Sequence, residues 1–321
     1  MINLDPTVFS PASVTEETRA FNAELLARIS GLPDQWRYQP SAVREARARG
    51  RGPFPMPERS ARAETLTIAG PGGPLPLRII RPKAGGSRGV YLHIHGGGWM
   101  VGAADYQDDR LEEISDQCGL TAISVDYRLA PEHPYPAGPD DCEAAALWVL
   151  QRLETEFGGP LLAIGGESAG AHLSVVTLLR LRDRHGLTPF HAANLTAGCY
   201  DLALTPSARA WGTDRLGLNT RDITMFVAHF LSAGGSRSDP DISPIHADLS
   251  GLPPALFSVG TLDPLLDDSL FLSGRWAAAG NESELAVFPG GCHVFQAFPL
   301  TITRESLARM DSFLNRILER A

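Results

Sequence analysis

One short run, Gly166-Glu167-Ser168-Ala169-Gly170, constrains this chain more than any other. An apolar stretch, Leu161-Leu162-Ala163-Ile164, precedes it and reads as a buried strand. A helix-forming stretch with apolar Leu173, Val176, Leu178, Leu179 and Leu181 follows it. Strand, tight turn and helix form the context in which G-x-S-x-G carries meaning: the serine oxygen is pushed out at the top of a sheet. Glycines on either side let two backbones pass closely around the turn. The helix N-terminus then points its unpaired amides at whatever meets the serine.

The surrounding pattern supplies such a sheet. Leu66-Thr67-Ile68 and Leu75–Ile80 alternate around a Gly/Pro-rich turn, as a hairpin does. Strand-like runs follow at Val90–His95, Ala122–Asp126, Leu161–Gly165, Ala255–Gly260 and Glu284–Phe288, with helical patterns such as Asp141–Leu153 between most of them. This alternation predicts an α/β fold, a parallel sheet with helices on both sides. A C-terminal helix carries Leu307, Met310, Leu314 and Ile317 on one face. An N-terminal helix is predicted over Ser13–Ser30, with Ser13 and Glu16 at capping-box spacing and Phe21, Leu25 and Ile29 four residues apart. Between Asp201 and Ser243 the rhythm breaks. One helix stands out there, with Asn219 or Thr220 as its cap and Ile223, Phe226, Val227, Phe230 and Leu231 as its apolar stripe. It reads as an insertion over the sheet, packed on the N-terminal helix. The arginine-rich stretch Val43–Arg62, broken by Pro53, Pro55 and Pro57, reads as a solvated helix end and a rigid linker, with polyanion binding as the alternative.

A serine hydroxyl needs a base, and the base needs an acid to fix its tautomer. Both candidates follow in the required order. Asp263 lies in the turn Thr261-Leu262-Asp263-Pro264 after one strand, and His293 in Pro289-Gly290-Gly291-Cys292-His293 after another. Asp267 and Asp268 compete for the acid role but fall where a helix should begin, at positions suited to its dipole. His95-Gly96-Gly97-Gly98-Trp99 follows the strand from Val90. Three glycines leave amides unshielded, so Gly97, Gly98 and Ala169 are the candidate donors to a developing oxyanion.

With these residues and the segment Asp126-Tyr127-Arg128-Leu129-Ala130-Pro131-Glu132-His133-Pro134-Tyr135-Pro136-Ala137, the chain resembles the hormone-sensitive-lipase family of α/β-hydrolases, the bacterial family IV esterases. Ser243-Pro244, Leu252-Pro253-Pro254-Ala255 and Gly260–Asp268 add to the resemblance, which runs from about Val90 to the C-terminus. It implies a mostly parallel eight-stranded sheet flanked by helices, with a helical cap. Residues 1–60 would form the N-terminal part of that cap, and 61–321 the catalytic domain, with a cap insertion at about 202–242. It implies Ser168, Asp263 and His293 as triad, and Gly97, Gly98 and Ala169 as oxyanion hole. The pentapeptide has Glu167 where the family more usually has Asp, and Gly290-Gly291-Cys292 replaces the commoner Glu-Gly before the histidine. The implied function is hydrolysis of short- to medium-chain acyl esters through an acyl-enzyme. An amidase or deacylase with the same triad is the alternative, and a non-catalytic ligand-binding module on the same scaffold is a second. Members of the family are often homodimers.

Other features define expectations by exclusion. A net charge of -9 argues against nucleic acid as a main partner. The stretch Met1–Ser10 has neither a basic start nor an apolar run, and no segment is long enough to span a bilayer, so a cytoplasmic location is expected. Cys118, Cys142, Cys199 and Cys292 lack metal-site spacing and read as buried thiols, with a reactive role for Cys292 as the alternative. His93 and His95, two apart on one strand, lack an evident third ligand, so no metal is expected; nor is a cofactor, since no G-x-G-x-x-G or P-loop pattern occurs. His95 is expected to brace the glycine turn, His172 to be a packed side chain, and Tyr127 and Arg128 to support the loops beneath. Trp99, Met100, Phe226 and Phe230 are candidate substrate-pocket residues, with cap-to-core packing as the alternative for each.

Overall fold

The structure is a computed structural model that describes residues 4–56 and 58–321. Met1, Ile2, Asn3 and Pro57, which enter the readings of the N-terminus and of the proline-broken stretch, lie outside the described residues. Eight strands form one sheet: β1 (Glu64–Gly70), β2 (Gly73–Ile80), β3 (Gly89–Ile94), β4 (Thr121–Val125), β5 (Leu161–Glu167), β6 (Ala192–Thr196), β7 (Ala255–Leu262) and β8 (Ser283–Cys292). Their spatial order is β1-β2-β4-β3-β5-β6-β7-β8. The β1–β2 and β2–β4 pairs are antiparallel, and all others are parallel. Pro74 and Pro76 stand in β2 before its ladder with β4, which begins at Leu77; at Pro76 that edge keeps one bond, from the Asp126 amide to the Pro76 carbonyl at 3.1 Å.

Nine α-helices accompany the sheet among the described residues: α1 (Glu16–Ser30), α2 (Pro40–Ala48), α3 (Asp108–Cys118), α4 (Ala137–Phe157), α5 (Ala169–His185), α6 (Pro206–Ala210), α7 (Thr220–Phe230), α8 (Leu266–Ala278) and α9 (Thr301–Leu318). The period of two along β3 divides them. Val90, Leu92 and Ile94 face a core shared with α4, α5 and α8, built around Val149, Leu173 and Trp276. Tyr91 faces the opposite core, where α3 and α9 bury Leu111, Ile114, Phe313 and Leu314. Both faces of the central strands are covered, which explains their near-continuous apolar runs.

Several expectations need correction. The cap of α1 is Thr15, whose extended backbone lets Oγ1 accept the Thr18 amide. Pro11 has already wound Pro11–Ser13 into a short 3-10 turn, which places Ser13 outside the helix. Helix α4 starts at Ala137, earlier than the predicted Asp141. Gly138 and Pro139 fall in its first turn, where amides have no intrahelical acceptor, so a proline costs nothing there. Strand β6 and the short α6 carry no signal that the sequence reading used. The insertion's main helix, α7, is capped by Asn219, whose side chain accepts the Asp222 amide at 2.8 Å. It does not rest mainly on α1. Its Phe226 meets Trp36 edge-on, with centroids 4.9 Å apart, and its Asp222 accepts the Trp36 indole N–H at 2.7 Å. Helix α1 lies over β8 instead, where Asn22 donates to the Gly290 carbonyl at 2.8 Å; from the insertion Leu216 joins its apolar cluster and Trp211 packs against it. The arginine-rich stretch is solvated only in part. Arg49 and Arg51, at the end of α2, are exposed as expected, but the stretch begins within α2, which buries Val43, half-buries Arg44 and Arg47 and contributes to the wall of the large cavity described below.

Leu92 sits at the centre of the sheet with no exposed surface. Leu92→Ala should lower unfolding free energy by about 3 kcal/mol, lost transfer energy plus an unfilled cavity. Urea denaturation of the two proteins measures this as a fall in midpoint at unchanged slope.

Candidate active site

Ser168 joins β5 to α5 in a conformation with φ 56° and ψ −120°, outside the regions a side chain normally allows. Such a residue costs on the order of 1–3 kcal/mol and persists only where its surroundings over-determine it. Here they do. The Ser168 amide donates to the Thr196 carbonyl of β6 at 2.8 Å. Gly166 and Gly170 close on the Ile94 carbonyl of β3, where a Cβ would lie 2.1 Å and 1.8 Å from that oxygen. No residue with a side chain could stand at either position without moving β3.

The two residues that follow Ser168 in the proposed chemistry arrive from neighbouring strands. Ser168 Oγ lies 3.0 Å from His293 Nε2. His293 Nδ1 lies 2.9 Å from Asp263 Oδ2 and 3.1 Å from Oδ1. A neutral imidazole protonated at Nδ1 donates to Asp263, which leaves Nε2 free to accept the serine proton. Asp263 is 1 % exposed and also accepts the Leu265 amide at 2.8 Å, so its carboxylate is held from two sides. Asp267 and Asp268 lie in the first turn of α8 and are turned elsewhere. Asp267 accepts the Ser207 amide. Asp268 accepts the amides of Tyr200 and Asp201 and the hydroxyl of Thr205, and burial pushes its carboxyl up to about 7.

The glycine turn folds tightly against the same centre. Gly97 has φ 116° and Gly98 has φ 60°, values that favour glycine. A Cβ on Gly97 would strike the Val101 carbonyl at 2.0 Å, and one on Gly98 the Phe226 ring at 2.4 Å. The Gly97 carbonyl accepts the amides of Met100 and Val101, while among the described residues no protein acceptor takes the amide of Gly97 or Gly98. Ala169 opens α5, so its amide also lacks an intrahelical partner. All three residues border the cavity that contains Ser168.

Glu167 holds this arrangement together, a role the sequence reading did not assign. Its Oε1 accepts the Gly96 amide at 2.6 Å, and its Oε2 lies 3.0 Å from His93 Nε2. His93 Nδ1 in turn lies 2.9 Å from Ser124 Oγ of β4. The residue beside the serine thereby ties the elbow to the glycine turn and to two strands. The usable signal was its place: a charged residue inside a motif that must be buried. His95 takes a different partner set. It stacks on Tyr127 at 4.3 Å with Nδ1 2.8 Å from the Gly96 carbonyl, and Tyr127 donates to the His95 carbonyl. Arg128 forms a two-pronged ion pair with Asp141. No cluster of metal-ligating side chains occurs among the described residues. The four cysteines are buried and free, and burial pushes the Cys292 thiol up to about 12, which removes the thiolate a reactive role requires.

The cavity has a volume of about 960 Å³. Trp99 and Phe226 line it; Met100 and Phe230 do not. Phe230 stacks behind the Trp99 indole at 4.7 Å, and Met100 is 1 % exposed within the core. The stripe on α7 therefore divides, with Phe226 facing the cavity and Phe230, one turn on, packing beneath. His172 joins these parts. The Trp99 indole donates to its Nδ1 at 3.1 Å, so its proton sits on Nε2, which donates to the Ile242 carbonyl at 2.9 Å.

Comparisons with known proteins fit this geometry. A family model described as alpha/beta hydrolase fold matches residues 91–297. Carboxylic ester hydrolase LipN of Mycobacterium tuberculosis is 37% identical over 238 residues, 72% of this chain and 63% of LipN, so the match spans less than two thirds of that relative. A hyperthermophilic esterase from the archaeon Pyrobaculum calidifontis superimposes with a TM-score of 0.83 at 28% identity, over 95% of this chain and 98% of that one. A hormone-sensitive lipase from a metagenome library gives 0.82 at 26% identity, over 95% and 99%.

His172 also generates a pH test. It has no exposed surface, and burial pulls its imidazole down to about 4 from 6.5. Because the folded value lies below the unfolded one, the unfolded chain binds more protons between them. The contribution of His172 is then complete above pH 6.5 and is lost as pH falls toward 4, by about 3 kcal/mol in all. Buried Asp268, raised to about 7, acts in the opposite sense over the same range, so the test is a difference: the stability of the unaltered protein relative to His172→Gln should rise with pH between 4 and 6.5, since an amide can accept from Trp99 and donate to Ile242 without titrating. Denaturant midpoints of the two proteins across that range measure it.

Proposed function

The chain belongs to the α/β-hydrolase family, in its hormone-sensitive-lipase branch, and from that membership we propose that it hydrolyses carboxylic esters of short- to medium-chain acids through a serine-bound acyl intermediate. The observation that carries this reading is the line of contacts Ser168–His293–Asp263, with 3.0 Å and 2.9 Å steps, at the floor of a large cavity. Ser168 Oγ attacks the ester carbonyl carbon as His293 Nε2 takes the hydroxyl proton. Asp263 keeps the imidazole oriented and stabilises the imidazolium. The amides of Gly97, Gly98 and Ala169 receive the oxygen as it turns negative. The tetrahedral intermediate collapses, His293 gives its proton to the departing alkoxide, and an acyl-Ser168 ester remains. Water, deprotonated by His293, then releases the acid and restores Ser168. We propose further that the N-terminal segment and the insertion act together as a cap, since both contribute to the cavity wall.

Hydrolysis of a p-nitrophenyl ester series, acetyl through dodecanoyl, tests the reading. Activity should peak at short to medium chains, and Ser168→Ala should reduce kcat by on the order of 10⁴–10⁶. Circular dichroism and thermal unfolding should show the variant folded. Undiminished turnover in the variant would rule out Ser168 as nucleophile; activity on the matching anilides but not on esters would favour the amide reading.

A further inference from the structure

Arg47 of α2 lines the same cavity as Ser168. Its Nη2 donates to the neutral Gln35 Oε1 at 2.9 Å, and among the described residues no carboxylate comes within ion-pair distance of it. The carboxylate that influences it most, Asp222, is already engaged. Asp222 accepts the Trp36 indole, and the Arg215 guanidinium holds both of its oxygens at 3.1 Å. Other enclosed arginines are treated differently. Arg78 pairs with Asp108, Arg110 with Asp311, Arg128 with Asp141 and Arg180 with Asp241, and each is held above the usual arginine range by an acid partner. Arg47 moves the other way. It is partly buried on the cavity wall with no counter-ion in contact, and Arg215 adds repulsion, so its guanidinium falls to about 10.

A partly buried cation without an acid partner is costly to the protein alone. The local excess of positive charge also runs against the chain's net charge of -9. Of the acidic groups on the same wall, Glu45 pairs with Arg49, Glu167 is committed to Gly96 and His93, and Asp109, in the first turn of α3, accepts the Arg110 amide at 2.8 Å. We propose that the substrates are esters bearing a free carboxylate away from the scissile bond, and that Arg47 binds this carboxylate. The planar guanidinium presents paired N–H donors that match a carboxylate. This proposal rests on the ester-hydrolase reading and narrows it to a substrate class.

Two matched ester pairs test it. One places the charge on the acyl side, mono-p-nitrophenyl adipate against p-nitrophenyl hexanoate. The other places it on the alcohol side, 6-butyryloxyhexanoate against hexyl butyrate. In at least one pair the anionic member should have the lower KM, by about tenfold or more, the scale of one charge-assisted contact. That preference should shrink toward one in Arg47→Gln and be partly kept in Arg47→Lys. Added sodium chloride should raise KM for the anionic ester alone. The pair that responds identifies which end of the substrate meets Arg47. Equal or better use of the neutral ester in both pairs by the unaltered enzyme overturns the proposal, and so does an Arg47→Gln variant in which both members decline together. In those cases neutral esters are still hydrolysed and the ester reading stands. Failure to hydrolyse any ester, with the protein folded, overturns both.

Discussion

The carbonyl oxygen of Ile94 is the point on which the architecture turns. Two glycines of the pentapeptide, Gly166 and Gly170, close on it from the neighbouring strand and helix, leaving no room for a Cβ. That approach holds the end of β3 beside the end of β5, and with it the glycine turn beside Ser168. A parallel pair of strands makes this possible, since both chains leave the sheet at the same edge and in the same direction. The strain at Ser168 is sustained by the same packing, which leaves the backbone no lower-energy path between β5 and α5.

Around this fixed point, polar side chains do what the backbone alone cannot. Glu167 links the elbow to the glycine turn, and His93 extends that link to Ser124 on β4. His172 connects α5 to Trp99 on one side and to the Ile242 carbonyl, at the end of the insertion, on the other. Each is a buried polar group whose hydrogen-bonding groups are met, so it specifies one arrangement where apolar packing would permit several. The floor of the cavity and the overlying helices are thereby one structure, joined through an imidazole and an indole.

How much of this was legible depended on whether the signal was local. The apolar runs of β3, β5 and β7 are visible because strands buried on both faces cannot alternate. Strand β6, Ala192-Ala193-Asn194-Leu195-Thr196, is invisible because its residues have weak strand preference; β5 and β7 on either side impose the conformation. Ser168, Asp263 and His293 could be named because each directly follows a strand, and the structure places them within hydrogen-bonding distance of one another. Glu167, by contrast, acts through groups distant in sequence, and no spacing rule reveals such partners. The same limit explains the pocket. Phe226 and Phe230 occupy one helical stripe, and only the placement of Trp99 decides which of them meets open space. The arginines of α2 read as surface because charge is usually solvated; the fold of the N-terminal segment over the sheet turned one of them inward.

The order in which these parts emerge during synthesis has its own consequence. Ser168 and the glycine turn are complete once β3 and β5 have paired, whereas His293 follows β8, the last strand of the sheet. In the proposed mechanism the serine has no base, and Asp263 no imidazole to orient, until that edge strand docks on β7. On that mechanism a nascent chain is chemically silent through most of its translation, and the competence to cleave an ester, gained only when the final edge of the sheet closes, doubles as a report that folding has finished.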